Sequence, residues 1–289
     1  MRKLQVAVIG LGRLGSACAN ALIDDSELAL AGVVRRPGAS GPLPGRLGDF
    51  PDVTHVRDLP AVDVALVCVP PGSASGVARE LLQARIPIVE CASFEGRALE
   101  THYSELDDVA KNHRVTAIVG AGWDPGVLQL FTNAFQMLIP HGHNVVRRHP
   151  GLSLHHSAAV EHHSGVRGAL AGEYRGADGA LQRYVYVELE RDADAERVKA
   201  DIRADPLFAG EVTQVFPVDS LSEIEHEHGE GIVFERLSAA KSGLHASLLL
   251  EARLDRYPFA AQVMLDAARK VQAARRGASR YALTGQAAW

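Results

Sequence analysis

The sequence predicts an α/β fold, a doubly wound parallel sheet, followed by a second α+β domain with a mixed or antiparallel sheet. Three observations carry that expectation. The chain opens on a short apolar β-branched run, Leu4-Gln5-Val6-Ala7-Val8-Ile9, that feeds the turn Gly10-Leu11-Gly12-Arg13-Leu14-Gly15. Small and apolar residues at helical spacing follow from Ser16 to Ile23, with a second apolar run from Leu28 to Val34. Beyond Gly126 the alternation of strands and helices gives way to a region dominated by strands.

Strand, glycine turn and helix in this order are what a dinucleotide pyrophosphate requires, in the manner of a Rossmann unit. Gly10 permits the tight turn, Gly12 lets the backbone approach the phosphates, and Gly15 lets helix and strand pack closely. Arg13 and Leu14 complete the predicted cofactor turn. The second strand ends in Arg35-Arg36, where an NAD-preferring site places a carboxylate for the ribose hydroxyls. Two guanidinium groups there attract a 2′-phosphate instead, so the expected cofactor is NADP.

The elements that follow continue the pattern. A Gly/Pro-rich loop runs from Pro37 to Gly48. The run Asp63 to Val69 reads as a buried parallel strand stopped by Pro70-Pro71-Gly72, and Cys68, Val69 and Pro70 are placed on the nicotinamide side of the groove. A helix over Ser75–Arg85, a strand over Ile86–Cys91, a helix over Glu105–Asn112 and a strand over Val115–Val119 complete the first domain. Val127–Leu138 reads as one amphipathic helix. Strands are then predicted over Leu152–Ser157, Arg183–Leu189, Val212–Val218, Ile232–Leu237 and His245–Leu254, with a charged helix over Ala193–Ala204. The last helix, Pro258–Arg276, has Pro at its start. The expected domains are 1–122 for the dinucleotide and 123–257 for substrate binding and dimerisation, with 258–289 returning to the first.

Composition narrows the class. At 289 residues the chain can hold two cores, and 47% hydrophobic with 22% charged residues is ordinary for a globular protein. A formal net charge of −5 and the lack of a basic stretch argue against nucleic acid as a partner. No apolar run reaches membrane-spanning length, and Met1-Arg2-Lys3 leads into a strand without a signal-peptide pattern. Cys18, Cys68 and Cys91 are odd in number and irregularly spaced, as expected of core thiols in a reducing cytoplasm. The thirteen histidines include the pairs His155-His156 and His162-His163 and the alternating His226-Glu227-His228, none with zinc-site spacing, so no metal is expected. Lys241 reads as a surface lysine and Cys91 as a core cysteine at a strand end.

The chemistry is expected at the domain junction, Gly120-Ala121-Gly122-Trp123-Asp124-Pro125-Gly126. A carboxylate at a strand end beside a nicotinamide can bind a substrate ammonium or handle its proton. Asp124 at this position also reads as the cap of a helix starting at Pro125, with Trp123 as a core plug.

This junction, the segment His149-Pro150-Gly151-Leu152-Ser153-Leu154-His155-His156-Ser157, the stretch Ser164-Gly165-Val166-Arg167-Gly168-Ala169, the strand Arg183 to Leu189 and the Ser242-Gly243-Leu244-His245 region together resemble meso-diaminopimelate dehydrogenases. The resemblance covers nearly the whole chain. It implies NADP-dependent oxidative deamination at the D-configured centre of an amino acid, typically meso-2,6-diaminopimelate to L-2-amino-6-oxopimelate (tetrahydrodipicolinate) and ammonia, by a cytoplasmic dimer. Asp124, Glu90 and Trp123 become the expected catalytic residues. Asp124 holds the ammonium and takes its proton, and Trp123 walls the cleft. Ser93, Gly122, Ser153, His156, Arg183, His245 and Tyr257 become the expected substrate contacts, with Arg183 and His245 on substrate carboxylate.

The departures fall on the substrate side. Where the family usually carries V-D-x-Y-D, the chain reads Val89-Glu90-Cys91-Ala92-Ser93, and a family asparagine corresponds to Tyr257. An NADP-dependent oxidoreductase for another amine, amino acid or keto acid, or a non-catalytic NADP-binding sensor, therefore stands as the alternative. A sugar dehydrogenase would usually carry E-K-P where this chain has Glu90-Cys91-Ala92.

Overall fold

In a computed structural model the described residues are 2–39, 41–94, 97–150, 154–175, 181–208, 210, 212–221, 224, 230–239 and 246–282. The chain divides into two units, one formed by Met1–Ala134 with Arg256–Trp289 and the other by Phe135–Asp255.

The first unit contains strands β1 (Leu4–Ile9), β2 (Leu28–Val34), β3 (Asp52–Val53), β4 (Val64–Val67), β5 (Ile88–Glu90) and β6 (Thr116–Val119). Helices α1 (Arg13–Ile23), α2 (Pro71–Gln83) and α3 (Arg97–His113) connect them, and α4 (Val127–Leu138) contains the division between the units. The helix Arg256–Lys270 (here α7) and β13 (Gly277–Arg280) close the unit. The sheet has seven strands in the order β13-β6-β5-β4-β1-β2-β3, every pairing parallel.

Its strands form where they do because each face of the sheet is buried. Val6, Val8, Val64 and Leu66 pack with Cys18 and Leu22 of α1 and Met264 and Leu265 of α7 on one face. Ala7, Ile9, Ala65 and Val67 pack with Ala78 and Leu82 of α2 and Tyr103 and Leu106 of α3 on the other. A continuous apolar run is the signature of a strand covered on both sides. The order reverses at β1, which pairs with both β2 and β4, and a ligand groove in such sheets lies outside the strand ends at that reversal.

Three boundaries of the first unit differ from expectation by four residues or more. Helix α2 starts at Pro71 rather than Ser75, with the proline in the first turn, where its missing N–H costs nothing. Helix α3 begins at Arg97, eight residues before the expected start. The helix expected to reach Arg276 stops at Lys270, and Gly277-Ala278-Ser279-Arg280 adds a strand beside β6.

The second unit holds β7 (Gly142–Pro150), α5 (Leu154–Val160), β8 (Val166–Arg175), β9 (Leu181–Leu189), α6 (Ala195–Ala204), β10 (Val212–Val218), β11 (Glu230–Ser238) and β12 (Ser247–Leu254). They make two three-stranded sheets. In β10-β9-β8 the central strand pairs parallel with β10 and antiparallel with β8. In β12-β11-β7 both pairings are antiparallel. Ala169, Ala171, Val185, Val187 and Val215 of the first sheet pack against Val160, Val198 and Ile202 of the helices. Asp194 caps α6, its Oδ1 accepting from the amides of Glu196 and Arg197 at 3.0 and 3.3 Å.

The strand expected over Leu152–Ser157 is corrected. Residues 151–153 lie outside the described residues, and Leu154–Val160 is helical. Ser157 and Val160, one helical turn apart, are fully buried, and Ser157 Oγ accepts from the Ala171 amide of β8 at 2.9 Å. That tertiary contact suits a helix lying on the sheet and outweighs the local pattern.

The close packing of α1 gives a test of the fold. A Cβ on Gly15 would lie 1.9 Å from the Gly10 carbonyl oxygen. Gly15→Ala should therefore lower stability by about 2–3 kcal/mol through overpacking, read as a shift in the urea midpoint at unchanged slope.

Candidate active site

At the C-terminal ends of β1, β4, β5 and β6 the first unit gathers the glycine turn, Cys68–Pro70, Cys91–Ser93 and the Gly120–Gly126 turn. The three glycines of the first turn have distinct jobs. Gly10 has φ +92°, and a Cβ there would meet the Cys68 carbonyl oxygen at 2.7 Å. Gly15 allows α1 to touch β1. Gly12 faces open space, with nothing within 4 Å of where its Cβ would be. Helix α1 starts immediately after it, with no side-chain cap and no acidic residue in its first turn. Free helix amides beside an open glycine fit a dinucleotide pyrophosphate. Arg13, in that first turn, lies 5.9 Å from the ring of Tyr257, which places Tyr257 beside the cofactor turn.

The two arginines after β2 differ. Arg35 is largely covered, donates to both carboxylate oxygens of Asp52 and to the Gly41 carbonyl, and has its basicity raised by the Asp52 hydrogen bonds. Arg36 is exposed.

Glu90 ends β5 and is fully buried. Its Oε2 accepts from the Ala92 amide at 2.8 Å and its Oε1 from the Gly120 amide at 3.4 Å, while its backbone carbonyl accepts from Ala121 at 2.9 Å. The carboxylate thus ties β5 to the turn after β6. Burial, reinforced by the Glu90 charge, pushes the Cys91 thiol up to about 12 and raises the Tyr103 phenol as well. Cys91 is therefore a neutral thiol at ordinary pH, as a core cysteine should be. Ser93, three residues along, is exposed.

The Gly120–Gly126 turn folds back on itself. The Gly122 amide donates to the Pro125 carbonyl at 3.2 Å, and Gly126 has φ +139° with its Cβ position 2.3 Å from the carbonyls of Gly120 and Gly122. The Asp124–Pro125 peptide is cis. Trp123 is half-buried and meets Phe259 of α7 edge-on, ring centres 5.4 Å apart. Asp124 is exposed. Helix α4 begins at Val127, two residues beyond the start expected at Pro125. The amides of Val127, Leu128 and Gln129 donate to the carbonyls of Gly122, Trp123 and Gly126.

In the second unit Arg183 of β9 is 2% exposed and stands in register with Thr213 of β10 and Glu173 of β8. His156 of α5 has its ring 5.4 Å from that of Phe208. Ser153 and His245 lie outside the described residues, as does Lys241. Among the described residues no group of three or more His, Cys, Asp or Glu side chains could hold a metal, and no helix is long and apolar enough to cross a membrane.

One polar pair escaped the sequence reading. His102 of α3 is 3% exposed, with Nδ1 2.9 Å from Ser75 Oγ of α2 and Nε2 3.4 Å from Glu90 Oε2. The available signal was a histidine on the apolar face of a helix, between Leu99 and Leu106, which alone reads as core.

Residues 4–90 match the oxidoreductase family with an NAD-binding Rossmann fold. The meso-diaminopimelate D-dehydrogenase of Bacteroides fragilis is 30% identical over 269 residues, covering 93% of this chain and 89% of the relative. The chain belongs to the meso-diaminopimelate D-dehydrogenase family. The enzyme of that name from Corynebacterium glutamicum is 27% identical over 89% of this chain and 85% of its own. Among solved structures, the C. glutamicum DAP dehydrogenase in complex with DAP superposes with a TM-score of 0.59 at 22% identity, covering 97% of this chain and 93% of that one. An engineered D-amino acid dehydrogenase bound to NADP⁺ gives a TM-score of 0.58 at 21% identity, covering 97% and 93%. These likenesses agree with the α/β fold of the first unit and the mixed and antiparallel sheets of the second. The protein is an oxidoreductase whose first unit is an NAD(P)-binding Rossmann domain.

The open space at Gly12 separates binding from folding. Gly12→Ala should leave the urea midpoint unchanged while weakening binding of the nicotinamide dinucleotide roughly tenfold or more, since its methyl group would stand where a pyrophosphate approaches such a turn. Isothermal titration beside a denaturation curve checks both halves.

Proposed function

We propose that this oxidoreductase carries out NADP-dependent oxidative deamination at the D-configured centre of an amino acid. The leading substrate is meso-2,6-diaminopimelate, giving L-2-amino-6-oxopimelate and ammonia, with reductive amination as the reverse. The carrying observation is the exposed Asp124 on a tightly closed turn, at the same sheet edge as the Gly10–Gly15 turn. The Gly10–Gly15 turn would hold the nicotinamide dinucleotide, which would supply the hydride acceptor for the substrate Cα. Asp124 would hold the ammonium and accept a proton as the amine becomes an iminium, which water then hydrolyses to the oxo acid. Trp123, braced by Phe259, would keep bulk water from the reacting carbon. Arg183 and His245 are assigned to substrate carboxylate, on their match to the family. The same reading takes the chain as a cytoplasmic homodimer.

A related substrate is the second reading, and one observation favours keeping it. Glu90 is wholly buried and committed to the Ala92 and Gly120 amides, and Ser93 carries no charge. A D-amino acid without a second ammonium group makes no demand on either position. NADP reduction followed at alkaline pH, with meso-diaminopimelate beside a panel of D-amino acids and simple amines, decides between the two. Turnover of none of them, with NADP still bound, would leave the sensor alternative.

Two outcomes test the assigned roles. Asp124→Asn should lower kcat roughly a hundredfold with NADP affinity unchanged; undiminished turnover would remove Asp124 from the chemistry. For the cofactor, Arg36 is the exposed guanidinium and Arg35 the one held by Asp52. Arg36→Ala should weaken NADP about tenfold, the loss of a charge-assisted contact, and leave NAD nearly unaffected. Equal losses for both nucleotides would reject the 2′-phosphate role.

A further inference from the structure

His102 is buried in the first unit, and neither the cofactor turn nor the Asp124 turn needs it for contact. Three elements converge on it. Helix α3 supplies the ring, α2 supplies Ser75 Oγ at 2.9 Å from Nδ1, and β5 supplies Glu90 Oε2 at 3.4 Å from Nε2. Phe94 closes the ring from another side, centre to centre 4.5 Å, and Tyr103 lies 5.9 Å away. Nε2 has no partner within hydrogen-bond geometry, so its polar neighbour is the Glu90 carboxylate.

A buried carboxylate costs several kcal/mol to desolvate unless its oxygens are satisfied. Glu90 is satisfied by the amides of Ala92 and Gly120, and the imidazole lies behind it with Nε2 3.4 Å from Oε2. Without that imidazole the carboxylate has reason to turn toward water, and the Gly120 amide loses its acceptor. The Ser75 hydroxyl fixes the ring plane, and hence which nitrogen faces Glu90.

We propose that His102 is a positioning residue, oriented by Ser75, that acts through Glu90 to hold the end of β5 against the Gly120–Gly126 turn and so sets the placement of Asp124. The inference rests on the proposed deamination only for its kinetic readout. Its structural readout is independent of activity.

The test uses the full-length protein with NADP bound. His102→Leu removes the nitrogen facing Glu90. His102→Gln keeps a nitrogen donor within reach, and Ser75→Ala frees the ring at a half-buried position. In His102→Leu, kcat for the substrate identified in the panel should fall about tenfold or more, as displaced reacting groups do, with the NADP dissociation constant unchanged. His102→Gln should recover most of that loss. Ser75→Ala should cost about threefold, the effect of one neutral hydrogen bond, and serves as the deciding variant if His102→Leu does not fold. Amide hydrogen exchange should quicken at Ala92 and Gly120 in His102→Leu and Ser75→Ala, and much less in His102→Gln.

A kcat at the parent value in Ser75→Ala and His102→Leu, or a thermal midpoint that falls with no change in exchange at Ala92 and Gly120, would overturn the proposal. So would a loss that His102→Gln does not relieve. If the parent protein turns over none of the panel, the deamination reading fails, and exchange at Ala92 and Gly120 alone decides the role of His102.

Discussion

The first unit depends on backbone approaching backbone at the point where its sheet reverses direction. The Gly10 carbonyl takes the space a Cβ on Gly15 would fill, and the Cys68 carbonyl takes the space of a Cβ on Gly10. These contacts seat α1 directly on β1 and draw the end of β4 against the turn. Two consequences follow from one geometry. The helix can bury Cys18 and Leu22 in the core under the sheet, and its uncapped amino end is aimed past Gly12, where nothing stands within 4 Å. An anion at that end completes what the helix lacks, since its first amides have no partners of their own.

A second constraint acts at the neighbouring strand ends. Among the described residues of the first unit, the buried polar ones are Glu90, His102 and Thr116, and Glu90 is the carboxylate. A glutamate reaches one methylene further than the aspartate usual at this position in the resembling family. That length lets it fold back to the Ala92 amide while touching Gly120. The effect of its charge is visible in its neighbours, where burial and the carboxylate together raise Cys91 and Tyr103. The chemistry at this edge is thus divided. An exposed carboxylate, Asp124, faces outward on a turn that the buried one helps to hold.

How much of this was legible follows from what each residue's role depends on. β1, β2, β4 and β6 were readable because strands covered on both faces must be continuous apolar runs, and Val127–Leu138 because a twelve-residue amphipathic period fits one element type. The glycine turn was readable because its spacing carries a steric demand at each position. β13 was not, since Gly277-Ala278-Ser279-Arg280 has neither β-branching nor alternation and becomes a strand only because β6 offers an open edge. Leu154–Val160 misled because Ser157 is held by an amide fourteen residues away, a contact no local pattern encodes. Glu90 and Asp124 were both legible as carboxylates at strand ends. That one is sealed and the other exposed depends on α2 and α3 closing over Glu90, which the sequence does not announce. His102 stayed hidden for the same reason.

The arginine pair after β2 shows how structure divides what the sequence presents as equal. Read in order, Arg35 and Arg36 are two positive charges at the end of β2. In the fold, Asp52 of β3 pairs with Arg35, and the Gly41 carbonyl takes a further donor, so the first guanidinium is fixed and its charge locally balanced. Among the described residues no side-chain hydrogen bond or ion pair balances Arg36, which is exposed just before Pro37. A fixed neighbour still contributes, because an arginine held by a carboxylate keeps a planar face against which an adenine or a second guanidinium can lie. Charge and shape are therefore supplied by different members of the pair. From the surface, any pull of Arg36 on a phosphate would be screened by salt over about 8–10 Å, whereas the Arg35–Asp52 clamp, largely covered, is less so. Under the proposed NADP reading, discrimination between the two nicotinamide nucleotides would depend on the exposed Arg36 beside the fixed Arg35.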